Sequence, residues 1–178
     1  EVILSGGDPL VVSDKLLKQF SDQLTSIPQV KRLRIHTRLP VVLPERITPE
    51  FIAWITQLTL NPVVVIHANH PREISPDVKD ALLRLRHAGV PVLNQSVLLK
   101  GINDTAHTLI TLSETLFSAG VLPYYLHVLD KVQGAAHFDL ALAQARELHK
   151  ELSENLPGYL VPRLVCEEAG KLSKTLLA

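Results

Sequence analysis

Methionine is absent from this chain of 178 residues, and cysteine occurs once, at Cys166. A lone thiol cannot close an internal disulfide, which excludes a disulfide-stapled secreted scaffold and makes a cytoplasmic location the expectation. A chain with no methionine that opens inside an apolar strand at Glu1 reads as part of a longer protein. No apolar run reaches the roughly 18 residues that span a bilayer, and no charged-then-apolar leader opens the sequence. Charge of one sign is missing too: 18 basic and 18 acidic residues cancel. That balance argues against a phosphate-backbone footprint and an anionic membrane partner, so neither nucleic acid nor membrane is expected. Low-complexity tracts, internal repeats and flexible linkers are likewise absent.

What is present is a rhythm. Apolar, β-branched runs alternate with helical stretches at intervals of roughly thirty residues, the pattern of parallel βα units. Strands are expected at Val2–Ser5, Arg32–Thr37, Val63–Ala68, Val92–Val97, Tyr124–Val128 and Leu160–Val165. Continuous apolar stretches such as Val63-Val64-Val65-Ile66 suit strands covered on both faces. Leu16, Leu17, Phe20 and Leu24 are spaced as one helical stripe, and Ala81, Leu82, Leu85 and Ala88 as another, opened by Ser75-Pro76 and stopped by Gly89. Further helices are expected over about Asp104–Ala119 and Asp139–Asn155. About six strands and about five helices make most of a β/α barrel, but fewer units than close one unaided. The fold class predicted is therefore α/β, an incomplete parallel barrel occupying residues 1–178.

Chemistry in such a fold collects at the C-terminal ends of the strands. Polar groups do gather there: Ser5, Gly6, Gly7 and Asp8 after the first strand; His36, Thr37 and Arg38 after the second; His67, Asn69 and His70 after the third. Asn94, Gln95 and Ser96 lie on the fourth, Asp130 follows the fifth, and Glu167, Lys171 and Lys174 follow the sixth. Each has a plainer explanation. Gly6-Gly7 could be only a tight turn, Arg38 a surface ion-pair partner, Asn94 and Gln95 caps for backbone groups, Asp130 a solvated partner of Lys131, and the lysines surface charge. His67 and His70 lack a third ligand at metal spacing, so no metal site is expected.

Five segments together carry a resemblance: SGGDPL at Ser5–Leu10, TRLPVVLPERITPE at Thr37–Glu50, HANHPREI at His67–Ile74, NQSVLLKGIND at Asn94–Asp104 and PYYLHVLDKVQGAAHF at Pro123–Phe138. In this order the chain resembles the lysine 2,3-aminomutase family of radical S-adenosylmethionine enzymes. The resemblance implies a partial β/α barrel and an isomerase that uses S-adenosylmethionine, a [4Fe-4S] cluster and pyridoxal 5′-phosphate. Lysine is the implied substrate, its amino group moving from C2 to C3. By the same resemblance Ser5, Gly6, Gly7 and Asp8 match the S-adenosylmethionine motif, Asp8 being placed to accept from the methionyl amine. His67 and Gln95 match residues lining that cofactor, with Asn69 and Asn94 beside them. Lys174 matches the lysine that bonds pyridoxal 5′-phosphate, Lys171 being the alternative, and Asp130 and Glu167 match acids that hold the distal ammonium of lysine.

Some family features are missing. The cluster motif Cys-x-x-x-Cys-x-x-Cys is absent, and one cysteine cannot supply its thiolates. As it stands the chain is expected to assemble no cluster and perform no turnover, the motif lying upstream in the family. Thr105 stands where zinc-binding members have cysteine, which resembles the branch making (R)-β-lysine for elongation factor P. Two other readings stay open at this point: an aminomutase for arginine or glutamate, and a non-catalytic barrel that binds a nucleotide-like ligand.

Overall fold

The computed structural model describes residues 1–130, 134–168 and 170–178. Among them are β1 (Val2–Leu4), α1 (Asp14–Thr25), β2 (Arg32–Thr37), α2 (Leu39–Val42), α3 (Pro49–Thr56), β3 (Asn61–Ile66) and α4 (Pro76–His87). The second part of the chain adds β4 (Val92–Val97), α5 (Ala106–Ser118), β5 (Leu122–His127), α6 (Leu142–Asn155), β6 (Arg163–Cys166) and β7 (Thr175–Leu176). Sheet neighbours are consecutive in the chain from β1 to β7. β1, β2 and β3 run parallel, as do β5 and β6, whereas β7 returns antiparallel to β6.

The chain divides into two compact units, the first comprising Glu1–His67, Ile74–Leu93 and Ala119–Val121. Its core contains Leu33 and Ile35 from β2, Phe51 and Ile55 from α3, and Leu82 and Leu85 from α4, all fully buried. Burying side chains of this size contributes roughly 1.5–3 kcal/mol each relative to leaving them in water. Helix entry is set locally. Ser75 accepts from the Val78 N–H with Pro76 at the first helical position, and Thr48 accepts from the Phe51 N–H ahead of Pro49.

The second unit comprises Ala68–Glu73, Asn94–Ser118 and Leu122–Ala178. Its core joins Leu98, Leu109, Leu126, Leu152, Leu160 and Leu164. Arg163, Leu164 and Val165 of β6 pair with Tyr125, Leu126 and His127 of β5, so both strands end at the same side of this unit. On the far side of β6, Cys166 pairs with Thr175 and Val165 with Leu176.

Three expectations need correction. Leu16 and Phe20 do not share the buried stripe of α1: they are 55% and 37% exposed, and the inward positions are Leu17, Ser21 and Leu24. Ser21 turns inward because its hydroxyl meets the Trp54 indole N–H at 3.3 Å. The strand count rises to seven and the helix count to six among the described residues, with β7 and the four-residue α2 as additions. Several ends also shift; β3 begins at Asn61 and stops before His67, leaving that imidazole beyond the ladder.

Candidate functional site

In the first unit, β1 ends in a turn that the sequence makes open on one side. Gly6 and Gly7 have φ of +89° and +61°, a backbone that side chains resist, and a Cβ on either would meet nothing within 4 Å. Asp8, next in line, is heavily committed. Its Oδ1 accepts from the Leu10 N–H at 3.0 Å and the Thr37 hydroxyl at 2.6 Å, and its Oδ2 from the Arg38 and Leu39 N–H groups at 2.6 and 3.2 Å. The expected role of that carboxylate as acceptor for an amine therefore has a different occupant: the tip of β2. Beyond Asp8, Arg46 holds the chain again, donating to the Leu10 carbonyl at 2.7 Å and the Val12 carbonyl at 3.2 Å, and pairing with Asp14.

His67 lies in the same unit, its Nε2 3.5 Å from the Nδ1 of His36. Burial holds the His67 imidazole below its usual titration range; the Asp8 carboxylate opposes that shift and the Arg38 cation adds to it. His67 is thus disposed to stay neutral at physiological pH. The Asp8 carboxylate is near enough to His67 to act on its titration.

In the second unit a buried polar knot joins the expected residues Asn69 and Asn94 to two others. Asn94 Oδ1 accepts from the Ala68 N–H at 2.9 Å, while its amide donates to the Ala68 carbonyl at 3.0 Å and Ser96 Oγ at 2.7 Å. Asn69 Oδ1 accepts from the Val97 N–H at 2.8 Å. Asn103, fully buried, donates to the carbonyls of Asn69 and Val97 and accepts from the Leu99 N–H. Asn94 and Asn69 both brace backbone, for Asn94 the plainer explanation weighed above. Gln95 is different. Next to Asn94 in a strand, its side chain projects to the opposite face, and its Oε1 is buried with no hydrogen-bond partner among the described residues. An orphaned acceptor of that kind suits a ligand donor.

The same unit holds the acids and lysines. The β6–β7 register, continued one step past Cys166 and Thr175, sets Glu167 opposite Lys174, and the two side chains form an ion pair. The Lys174 ammonium also lies 5.7 Å from the centre of the Tyr125 ring, whose edge-on neighbour is His127 at 5.8 Å. The Lys174 hydrogen bond and charge hold the Glu167 carboxyl below its usual range; partial burial opposes this, and His127 adds a smaller pull downward. Lys171 pairs instead with Glu168 at 2.8 Å in the more exposed loop. Glu167, Glu168, Lys171, Leu172, Ser173 and Lys174 line a hollow of about 290 Å³. Asp130 is exposed, on the segment leaving β5, the strand beside β6. Lys131, weighed above as its partner, lies outside the described residues.

Thr37, Asn103, Tyr125 and His127 were given no role from the sequence alone. Each sits inside a motif already singled out, but the partners of Thr37, Asn103 and Tyr125, which are Asp8, Asn69 and Lys174, lie far along the chain. No group of three His, Cys, Asp or Glu side chains that could hold a metal occurs among the described residues. No helix among them is long and apolar enough to cross a membrane.

No protein-family model matches the chain. Curated relatives do. It is 51% identical over 177 residues to an L-lysine 2,3-aminomutase of Escherichia coli strain K12, covering 99% of this chain and 52% of that protein. It is 52% identical over 178 residues to an L-lysine 2,3-aminomutase of Haemophilus influenzae, covering 100% and 53%. A glutamate 2,3-aminomutase of Clostridioides difficile is 36% identical over 166 residues, with 93% and 39% covered. The chain spans about half the length of the curated relatives it matches. Among solved structures, a domain of pyruvate-formate lyase-activating enzyme from Bacteroides vulgatus superposes with a TM-score of 0.64 at 14% identity, covering 94% of this chain and 98% of that one. A radical SAM methyltransferase from Sphaerobacter thermophilus gives 0.53 at 17% identity, covering 79% and 42%. Those two likenesses show a shared fold.

Proposed function

We propose that this chain, related to the L-lysine 2,3-aminomutases along nearly its whole length, serves an isomerase that moves the amino group of L-lysine from C2 to C3. The observation that carries the reading is the β6–β7 register, which sets the Glu167 carboxylate against the Lys174 amine beside the Tyr125 ring. S-adenosylmethionine and pyridoxal 5′-phosphate, when bound, supply the radical and electron-withdrawing chemistry.

The residues present fit those two groups. The open Gly6–Gly7 turn suits the polar end of S-adenosylmethionine, with Ser5 and His67 of the same unit as further candidates. Lys174 offers the amine that would hold pyridoxal 5′-phosphate; Lys171, paired with Glu168 farther out in the loop, is the weaker candidate. A [4Fe-4S] cluster does not fit: this chain has one cysteine, and no step here runs through a cluster on these residues.

Glu167 holds one ammonium already, that of Lys174. Were pyridoxal 5′-phosphate held at Lys174, Glu167 would stand beside it as a carboxylate able to meet a further cation. The distal ammonium of lysine is such a cation, and Asp130, leaving the neighbouring strand, is its second acid. Two acids favour lysine over glutamate, whose side-chain carboxylate they would repel. The product in this reading is (R)-β-lysine, destined for attachment to elongation factor P.

Asp130→Ala, made in the polypeptide that carries this chain, tests the substrate assignment. Loss of one charge-assisted contact is expected to raise the KM for lysine about tenfold to hundredfold, with affinity for S-adenosylmethionine unchanged. An unchanged lysine KM, or equal loss of both, would overturn it.

A further inference from the structure

The β6–β7 hairpin has two different faces. Side chains alternate across a strand, so Cys166 and Thr175, paired in register, point to one side and their neighbours Glu167 and Lys174 to the other. Glu168, two positions past Cys166, falls on the Cys166 side. The contacts divide the same way. On one face Glu167 pairs with Lys174, whose ammonium lies 5.7 Å from the centre of the Tyr125 ring. On the other, the Lys171 ammonium donates to Glu168 Oε1 at 2.8 Å and to the Thr175 hydroxyl at 3.2 Å. The Cys166 thiol lies 4.0 Å from that same Oε1. Cys166, Glu168, Lys171 and Thr175 thus close a ring of side chains over the back of the strand pair. β7 is only two residues long, so its register depends on what holds the chain on either side of it. Beyond it, the Leu177 N–H donates to the Leu164 carbonyl at 2.9 Å and Arg146 Nε to the Leu177 carbonyl at 3.1 Å. Ahead of it, the tie is Lys171, through its N–H to the Glu168 carbonyl at 3.1 Å and through its ammonium. A slip of one residue in β7 would turn Lys174 to the back face.

We propose that Lys171 is a positioning residue: its ammonium staples Glu168 to Thr175 behind the hairpin and so holds Lys174 toward Tyr125 and Glu167. The proposal rests on the reading that Lys174 is the amine for pyridoxal 5′-phosphate. It gives the two lysines of the hairpin separate roles, Lys174 on the site face and Lys171 as its support on the other. The side chains of Lys171 and Glu168 are 52% and 44% exposed, so the staple is modest in strength and open to screening by salt. Both properties serve the test.

Equilibrium binding of pyridoxal 5′-phosphate to the whole polypeptide that carries this chain, read by absorbance, provides it. Lys171→Met is expected to weaken binding about threefold to fivefold and Lys171→Arg to restore it to within about twofold. Thr175→Val added to Lys171→Met is expected to weaken it no further, since both remove the same contact. Affinity for S-adenosylmethionine stays constant throughout, which shows that the variants are folded. Raising the salt from about 0.05 M to about 0.5 M is expected to close most of the gap between wild type and Lys171→Met, because the staple is then screened in both. Lys171→Met binding like wild type, Lys171→Arg binding as weakly as Lys171→Met, or a gap unchanged by salt overturns the staple. Complete loss of binding in Lys171→Met, with borohydride labelling Lys171 in the wild type, would instead sink the assignment of Lys174 on which the proposal rests.

Discussion

His67 shows how one side chain's surroundings set its behaviour. Burial disfavours its imidazolium more strongly than the Asp8 carboxylate favours it, so the folded protein takes up this proton at lower pH than the unfolded chain does. The sign follows directly. Between the two titration points the unfolded state binds more protons, so the stability His67 contributes is complete above its usual value of 6.5 and is lost as pH falls through the folded value. Thermal unfolding of wild type and His67→Gln from neutral pH downward should therefore show the wild type losing stability more steeply. A difference between them that does not vary with pH would show that His67 is not desolvated. Residue-level roles were the least legible part of the sequence. Asp8 was marked for a ligand because it follows Gly6-Gly7, while its partners Thr37, Arg38 and Leu39 lie about thirty positions away and become neighbours only through the pairing of β1 with β2. Asn94 likewise could not reveal that Ala68 would occupy its amide.

Elements were easier to read, for a physical reason. The limits of β2 and β4 follow from runs with little freedom to be anything else, and the Ser75-Pro76 start of α4 is written in two residues. β7 escaped because two residues carry no periodicity; only its antiparallel pairing with β6 defines it, and that pairing separates Lys174 from Lys171. Gly120 offers a test at this scale. Its φ is +80°, and an added Cβ would run into the Arg86 side chain, so Gly120→Ala combines backbone strain with a clash. A cost of about 1–3 kcal/mol is expected, lowering Tm by roughly 2–10 °C. Gly158, with an ordinary φ and open space around it, is the control, and its replacement by Ala should stay within about 0.5 kcal/mol. Equal effects at the two positions would contradict the packing described for Gly120.

On the scale of the molecule, the parallel βα order, the balanced charge and the single cysteine were all visible before any coordinates. The resemblance supplied what periodicity could not, a family, and relatives at 51% and 52% identity over nearly the whole chain bear that family's name. Division into two compact units was not legible, since it cuts through β4 between Leu93 and Asn94 without any break in composition. Covering about half the length of those relatives, this chain carries candidates for holding two small molecules and, among the described residues, no group of three His, Cys, Asp or Glu that could hold a metal. Lys174, presented by the β6–β7 hairpin, is the amine proposed here for pyridoxal 5′-phosphate. Reducing the polypeptide with borohydride in the presence of that cofactor, then mapping the modified peptide, tests it most directly. The label is predicted on Lys174; a label on Lys171, or none at all, would contradict the account.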